Sequence, residues 1–172
     1  MSAESCLLPP ADSILGVLIK PLRSFADNRG FFREIFRADE PIFADGGFAQ
    51  WSHSRMQKDV VKAWHYHHLQ TDWWYVPVGA VWAAFFDNRP ESPTYQAKIA
   101  ILMGDGEAYP GAAPVCVRIP PGVLHGCRVM SDEAHLLYIT SRTYDPNAVS
   151  YTHLRAQRLL SISYAVFCLK KK

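Results

Sequence analysis

Residues 62–79 of the chain, KAWHYHHLQTDWWYVPVG, place three histidines and an aspartate within eight positions, directly before an apolar run. In an extended strand, successive side chains alternate between the two faces. His65 and His67 are therefore predicted to point to one face, and His68 to the other. Asp72 follows a short turn and begins a second strand-like stretch. The pattern predicts two neighbouring strands that carry polar side chains on one shared face.

Short strands are predicted over most of the chain, separated by turns rich in glycine, proline, asparagine and aspartate. The predicted strands are 14–19, 31–36, 60–67, 73–78, 81–86, 97–102, 115–119 and 136–141. Helical signals are weak, with one short turn expected at 38–44, where Pro41 limits its length. Many short strands joined by tight turns favour an all-β sandwich or barrel. We expect this barrel to bring 62–79 close to His125, which follows a Pro-Gly turn.

Composition indicates a single globular domain. The 172 residues are 49% hydrophobic and 20% charged, which is ordinary for a folded domain with a sizeable core. A net charge of +2 gives no reason to expect a nucleic-acid partner. Four cysteines lie far apart without a Cys-x-x-Cys pair, which is typical of a reducing compartment. No signal peptide or membrane-spanning run is recognised. We therefore predict a cytoplasmic protein that does not bind a membrane.

The end of the chain has a different character. Residues 149–156, VSYTHLRA, resemble the translation of a sequencing adaptor, and the segment that follows has no clear strand pattern. We therefore predict one domain over 1–148 and a non-native read-through segment over 149–172. The alternative interpretation is a genuine C-terminal segment.

A second copy of the chain is the expected partner. Residues 81–87 are apolar on both alternating faces, which predicts a strand that is covered on both sides. The opposite wall of the barrel would cover one face, and a partner chain would cover the other. Five tryptophans add more aromatic area than one small core usually needs. A large core explains the same composition, and a homodimer is the second interpretation.

The histidines have a spacing that suits a metal. His65-x-His67 followed by Asp72 resembles the first metal motif of the cupins, with aspartate in place of the usual glutamate. The Pro-x-Gly-x-x-His pattern that ends at His125 resembles their second motif. Such a mixed nitrogen and oxygen site suits Mn, Fe, Ni or Zn. Alternatively, His67 and Asp72 only form hydrogen bonds inside the barrel.

A wider resemblance extends from residue 27 to residue 146. Its motifs, in order, are DNRGFFRE at 27–34, QWSHS at 50–54, KAWH at 62–65, DNR at 87–89, SPTY at 92–95, IPPGVLHG at 119–126, LY at 137–138 and YDP at 144–146. On these residues the chain resembles the dTDP-4-dehydrorhamnose 3,5-epimerase family. The resemblance implies a cupin-type jelly-roll barrel, the double-stranded β-helix. It also implies an isomerase without a cofactor that inverts C3, C5 or both of a dTDP-4-keto-6-deoxyhexose.

The resemblance also implies roles for particular residues. His65 would remove a proton next to the 4-keto group, and Tyr138 would return one to the opposite face. Five residues would hold the nucleotide sugar: Arg29, Glu34, Gln50, Ser52 (where the family usually has asparagine) and His125. As alternatives, Arg29 and Glu34 form a salt bridge at the end of the barrel, and Tyr138 is a core aromatic residue.

Three positions depart from the family pattern. Asp72 stands where the family has an active-site lysine, Lys62 replaces an arginine, and His67 replaces a glutamine. An ionised Asp72 would oppose enolate formation. Either Lys62 supplies the missing positive charge, or a metal held by His65, His67, Asp72 and His125 acts as a Lewis acid. The second repair would make His65 a ligand instead of a base. A non-catalytic sugar-binding cupin is the third hypothesis.

Overall fold

Twelve β-strands and one short helix make up the part of the chain that the computed structural model describes, which is residues 13–43 and 47–145 and the backbone of 150–151. The strands are β1 (Leu18–Pro21), β2 (Ser24–Asp27), β3 (Gly30–Arg33), β4 (Gln50–Gln57), β5 (Val61–Tyr66), β6 (Asp72–Val78), β7 (Ala80–Asp87), β8 (Lys98–Gly104), β9 (Val115–Ile119), β10 (Val123–Val129), β11 (Glu133–Thr140) and β12 (Ser150–Tyr151). A 3₁₀ helix spans Pro41–Phe43, within the turn predicted at 38–44.

The strands form two five-stranded antiparallel sheets. The first sheet has the order β1-β9-β6-β11-β4, and the second has the order β12-β5-β10-β7-β8. Strands β2 and β3 pair with each other as a separate hairpin. Along the chain from β4 onward, most successive strands belong to different sheets. Two facing antiparallel sheets connected in this way form a jelly roll. The predicted all-β, cupin-type jelly roll is confirmed.

Most predicted strands begin and end within one to three residues of the bounds of an observed strand. The main correction concerns residues 14–17. They form a turn instead of the start of a strand, with Gly16 at a φ of +83° and Ile14 buried in the core. The sequence interpretation also missed β2, β4, β10 and β12. Strand β4, QWSHSRMQ, has mostly polar residues on both faces, so it lacks the β-branched and aromatic runs used to predict strands.

Strand β6 shows how the sequence assigns its two faces. Trp74 and Val76 pack into the main core between the sheets. Trp73 and Tyr75 point outward into a second cluster, which the segment containing the 3₁₀ helix covers. The indole of Trp73 donates a 2.7 Å hydrogen bond to the carbonyl of Ile42, which fixes this cover. Because side chains alternate, Asp72 shares the inner face with Trp74.

Strand β7 is apolar on both faces, as predicted. Its Phe85 belongs to the main core, and its Ala84 belongs to a small outer cluster with Trp64 and Leu124. Trp64 of β5 and Leu124 of β10, which belong to the same sheet as β7, therefore cover part of its outer face.

The predicted segment 149–172 lies outside the described residues, except for the backbone of β12. Ser150 and Tyr151 pair there with Tyr66 and His65 of β5. The domain boundary at residue 148 stays a prediction. Among the described helical residues, none belongs to a helix that is long and apolar enough to cross a membrane.

Candidate active site

A cavity of about 190 Å³ opens between the two sheets, where their inner faces change from aliphatic to polar. Its walls contain most of the residues that the sequence pattern singled out. The lining residues are Gln50, Ser54, Lys62, His65, His67, Gln70, Asp72, Trp74, His125, Cys127, Leu136, Tyr138, Thr140 and Tyr144.

Strands β5 and β10 bring two histidines face to face. His65 lies directly opposite His125 in the antiparallel register, and their ring centroids are 6.0 Å apart. The register then shifts, so that Lys62 lies opposite Cys127. This irregularity turns Lys62 into the cavity together with His65, although three positions separate them.

His67, Asp72 and His125 form a compact group on the cavity wall. The Nε2 atoms of His67 and His125 lie 3.7 Å and 3.6 Å from Oδ2 of Asp72. Taking one ligand atom from each residue, all three atoms lie within 4.8 Å of one another. The side chains of Asp72 and His125 are only 5% and 3% exposed. His65 is not a member of this group, although the sequence interpretation had placed it there as a fourth ligand.

Hydrogen bonds orient this group from outside. Gln70 donates through Nε2 to Oδ1 of Asp72 at 2.7 Å, which leaves Oδ2 directed at the two imidazoles. The Nδ1 atom of His125 lies 3.0 Å from the carbonyl oxygen of Val123. The loop that holds His67 is fixed because the Gly122 amide donates to its carbonyl at 2.8 Å.

Burial favours the uncharged forms of these groups. Desolvation raises the pKa of Asp72, against the opposing effects of His67 and of hydrogen bonds from Gln70 and Trp74. Desolvation lowers the pKa of His125 to about 3. It also lowers the pKa of His67, and it lowers that of His65 with a further contribution from the positive charge of Lys62. The three imidazoles are therefore neutral at pH 7.

Tyr138 reaches the cavity from the opposite sheet. It lies on β11, between Ser52 of β4 and Trp74 of β6 in the antiparallel register. The indole of Trp74 meets the ring of His125 edge-on, with centroids 5.2 Å apart. The phenol of Tyr138 and the imidazole of His65 thus line one cavity from facing sheets.

Gln50 and Tyr144 line the cavity as well. The side-chain carbonyl of Gln50 accepts a 2.8 Å hydrogen bond from the Tyr144 amide, and its amide group donates to the hydroxyl of Ser52 at 3.0 Å. Ser52 does not line the cavity itself and contacts it through Gln50.

Arg29 and Glu34 are not brought into the cavity of their own chain. Arg29 lies in the turn between β2 and β3, where its 84% exposed side chain pairs with Asp27 at 2.6 Å. Glu34 is half-exposed and lies 4.0 Å from Arg37. The salt bridge between Arg29 and Glu34 that the sequence allowed is absent from the ion pairs of the described residues.

Sequence reasoning missed Ser54, Gln70 and Thr140 as cavity residues. Alternation along β4 would have placed Ser54 on the same face as Gln50. Thr140 lies two positions after Tyr138 on β11, so alternation would have identified it too. Gln70 precedes the strand that carries Asp72, and the sequence gives no periodic signal for it.

A jelly roll with a polar cavity between its sheets places this chain in the cupin class. The profile of the dTDP-4-dehydrorhamnose 3,5-epimerase family matches residues 11–171, so the chain belongs to that family.

Named relatives agree with this assignment. The chain is 36% identical over 133 residues to the spore coat polysaccharide biosynthesis protein SpsL of Bacillus subtilis, covering 77% of this chain and 83% of that protein. It is 33% identical over 138 residues to the dTDP-4-dehydrorhamnose 3,5-epimerase of Escherichia coli, covering 77% and 71%.

Solved structures of two epimerases share the fold. A 4-keto-6-deoxy sugar epimerase of Streptomyces spheroides, from the novobiocin gene cluster, has a TM-score of 0.73 and 29% identity, covering 87% of this chain and 74% of that one. The 3,5-epimerase of Legionella pneumophila, solved with dTDP-4-keto-L-rhamnose, has a TM-score of 0.70 and 28% identity, covering 79% and 72%.

Proposed function

We propose that this protein is an isomerase that epimerises a dTDP-4-keto-6-deoxyhexose at C3, C5 or both. The observation that carries the proposal is the position of His65 and Tyr138, which line one cavity from facing sheets in a member of an epimerase family. Inversion at a carbon requires that a proton leaves one face and another arrives at the opposite face. A base and an acid on facing walls satisfy this requirement.

The neutral imidazole of His65 takes the proton from the carbon next to the 4-keto group. The resulting enolate carries negative charge on the keto oxygen, so the step needs a positive or hydrogen-bonding group nearby. Lys62 lines the same cavity and its charge already acts on His65. Tyr138 then delivers a proton to the other face. Side chains supply both proton transfers, so these steps need no organic cofactor.

The size of the cavity suits a sugar ring. Sites for drug-sized ligands usually occupy about 300–1,000 Å³, whereas this cavity has a volume of about 190 Å³. The ring therefore occupies the cavity, and the nucleotide lies along its open mouth near Gln50 and Tyr144. His125, at the back of the cavity, contacts the sugar end.

A homodimer explains the position of the remaining candidate residues. The β2–β3 hairpin exposes three phenylalanines, Phe25, Phe31 and Phe32, at 48%, 41% and 65%. Phe25 and Phe32 are cross-strand partners on one face of the hairpin, and an exposed aromatic pair of this kind marks an interaction surface. We propose that the hairpin docks on a second copy, where Arg29 and Glu34 reach the nucleotide in the partner's cavity.

Mixed dimers test this arrangement. Arg29→Ala and His65→Ala chains should each be inactive alone, and mixing them should restore activity, because one site in each mixed dimer contains both native residues. A mass of 19.4 kDa in solution, that of one chain, would overturn the dimer.

Cys116 and Cys127 are buried free thiols, which supports the proposed cytoplasmic location.

The experiment that tests the proposed function is solvent exchange. The protein is incubated in deuterated water with dTDP-4-keto-6-deoxyglucose, and deuterium at C3 and C5 is measured by NMR. Deuterium should enter with the native chain and with His53→Ala, whose histidine lies on the exposed face of β4, but not with His65→Ala. Binding of the nucleotide sugar without exchange would overturn the epimerase and favour a non-catalytic binding protein.

A further inference from the structure

Asp72 is a buried carboxylate that faces two imidazoles without a hydrogen bond to either. Its Oδ2 atom lies 3.7 Å from Nε2 of His67 and 3.6 Å from Nε2 of His125. Hydrogen bonds between nitrogen and oxygen are normally 2.7–3.2 Å long, so both separations exceed that range. The three atoms surround a common point without bonding to one another.

The hydrogen bond of His125 shows which of its atoms faces Asp72. Its Nδ1 lies 3.0 Å from the carbonyl oxygen of Val123, and a carbonyl oxygen can only accept. The Nδ1–H group therefore donates to Val123, and this bond directs Nε2 at Oδ2 of Asp72. Neither imidazole forms a hydrogen bond with Oδ2, and the three ligand atoms lie close enough together to share one cation.

From this geometry we infer that Nε2 of His67, Oδ2 of Asp72 and Nε2 of His125 hold one divalent transition-metal ion. A donor set of two imidazoles and one carboxylate suits Zn, Mn, Fe, Co or Ni. Ligands about 2.1 Å from a tetrahedral zinc stand about 3.4 Å apart, close to the separations of 3.6 and 3.7 Å from Oδ2 of Asp72. Three protein ligands leave one position open to the cavity.

The surroundings of the three ligands support the assignment. Histidine ligands usually donate their other ring N–H to a carbonyl or carboxylate, as His125 does to Val123. Carboxylate ligands are usually oriented by a further hydrogen bond, as Gln70 orients Asp72 at 2.7 Å.

The three-residue set removes a conflict in the sequence interpretation. There, a metal required His65 as a ligand, and the epimerase required it as a base. The ligand group in the structure does not contain His65, so metal binding and proton abstraction use different residues. A catalytic role for the metal rests on the proposed function. The metal would supply positive charge beside the keto oxygen. At the position of Asp72, family members have a lysine.

The test is metal binding by the full chain without a histidine tag. The protein is treated with chelator, dialysed and titrated with Co²⁺, and binding is followed by calorimetry and by the visible absorption of the bound ion. We expect about one Co²⁺ per chain. His67→Ala and Asp72→Asn should each weaken Co²⁺ binding by more than about 100-fold. Loss of a residue that only orients a ligand typically weakens metal binding by about 10- to 100-fold.

Two variants make the ligand assignment falsifiable. His68→Ala removes an exposed histidine of the same segment and should bind Co²⁺ like the native chain, provided that thermal unfolding shows all variants folded. His65→Ala should also keep the metal while losing deuterium exchange. Loss of Co²⁺ binding in His65→Ala would overturn the three-residue set.

The outcomes separate the metal site from the proposed function. Deuterium exchange without stoichiometric Co²⁺ binding would overturn the metal site and leave the epimerase intact. Stoichiometric Co²⁺ binding without exchange would leave the site intact and overturn the epimerase. Activity that chelator removes and Co²⁺ restores, together with binding that depends on Asp72, would support both.

Discussion

Lys62 donates a 2.7 Å hydrogen bond from Nζ to the hydroxyl of Ser54, and both side chains line the cavity that contains His65. The bond joins the two sheets, because Lys62 belongs to β5 and Ser54 to β4. It holds the ammonium group at the wall of the cavity, although the residue as a whole is exposed.

Replacement of Lys62 by methionine should therefore slow proton exchange without unfolding the protein. Loss of one group that stabilises an oxyanion typically reduces kcat by about 100- to 1,000-fold. Steady-state kinetics with the keto-sugar nucleotide measures the effect, and Lys58→Met is the matched control. Lys58 is an exposed lysine that pairs with Asp132 at 2.9 Å and does not line the cavity. Unchanged kcat in Lys62→Met would contradict the role of Lys62.

Tyr138→Phe should separate proton removal from inversion. If the phenol is the acid, the variant still exchanges the proton on the His65 face, but net epimerisation falls by about 100- to 10,000-fold. Comparing deuterium incorporation with the yield of the epimer by NMR measures both quantities in one sample. Tyr95→Phe, at a 45% exposed tyrosine, is the control. Equal losses of exchange and inversion would show that Tyr138 is not the acid.

The sequence predicted the residues of the candidate site more completely than it predicted the strands that carry them. The His-x-His spacing and the Pro-Gly turn predicted that His67, Asp72 and His125 meet, since alternation in strands is a local rule. The exclusion of His65 from the ligand group could not be predicted, because alternation places it on the same face as His67. It depends on distances between side chains of strands that are far apart in sequence, which alternation along one strand does not fix. Strand β4 was missed for a related reason, because pairing with β11 holds its polar sequence in the sheet.

Asp87 is predicted to be a main support of the barrel. Its fully buried carboxylate accepts hydrogen bonds from the guanidinium of Arg89 at 2.8 Å and from the hydroxyls of Ser92 and Thr94 at 2.6 Å. Asp87→Asn should cost on the order of 2–3 kcal/mol of unfolding free energy, because it removes the charge from these bonds. Urea denaturation at pH 7 measures the loss, with Asp132→Asn as an exposed control.

The same carboxylate predicts acid sensitivity. Hydrogen bonds from Arg89, Ser92 and Thr94 hold the pKa of Asp87 below its ordinary value of 3.8, against the effect of burial. A lowered pKa in the folded state gives stability that is present above the unfolded value and is lost as the pH falls further. The native protein should therefore lose stability below about pH 4, and Asp87→Asn should lose less over that range. Parallel pH profiles for the two proteins would contradict this assignment.

Gly126 sets the distance between the two strands that hold His65 and His125. A Cβ atom there would lie 2.5 Å from Cβ of Ala63 and 2.9 Å from the carbonyl oxygen of Lys62, so β10 would have to move away from β5. Gly126→Ala should cost about 1–3 kcal/mol through overpacking and also lower exchange activity, because His125 lies one position away. Gly111→Ala is the control, since its Cβ would meet no atom within 4 Å and adds only strain at a φ of +83°. Thermal unfolding and deuterium exchange, measured on both variants, separate the loss of stability from the loss of activity. Loss of activity in Gly111→Ala would mean that strand spacing does not control the site. Full activity in Gly126→Ala would mean the same.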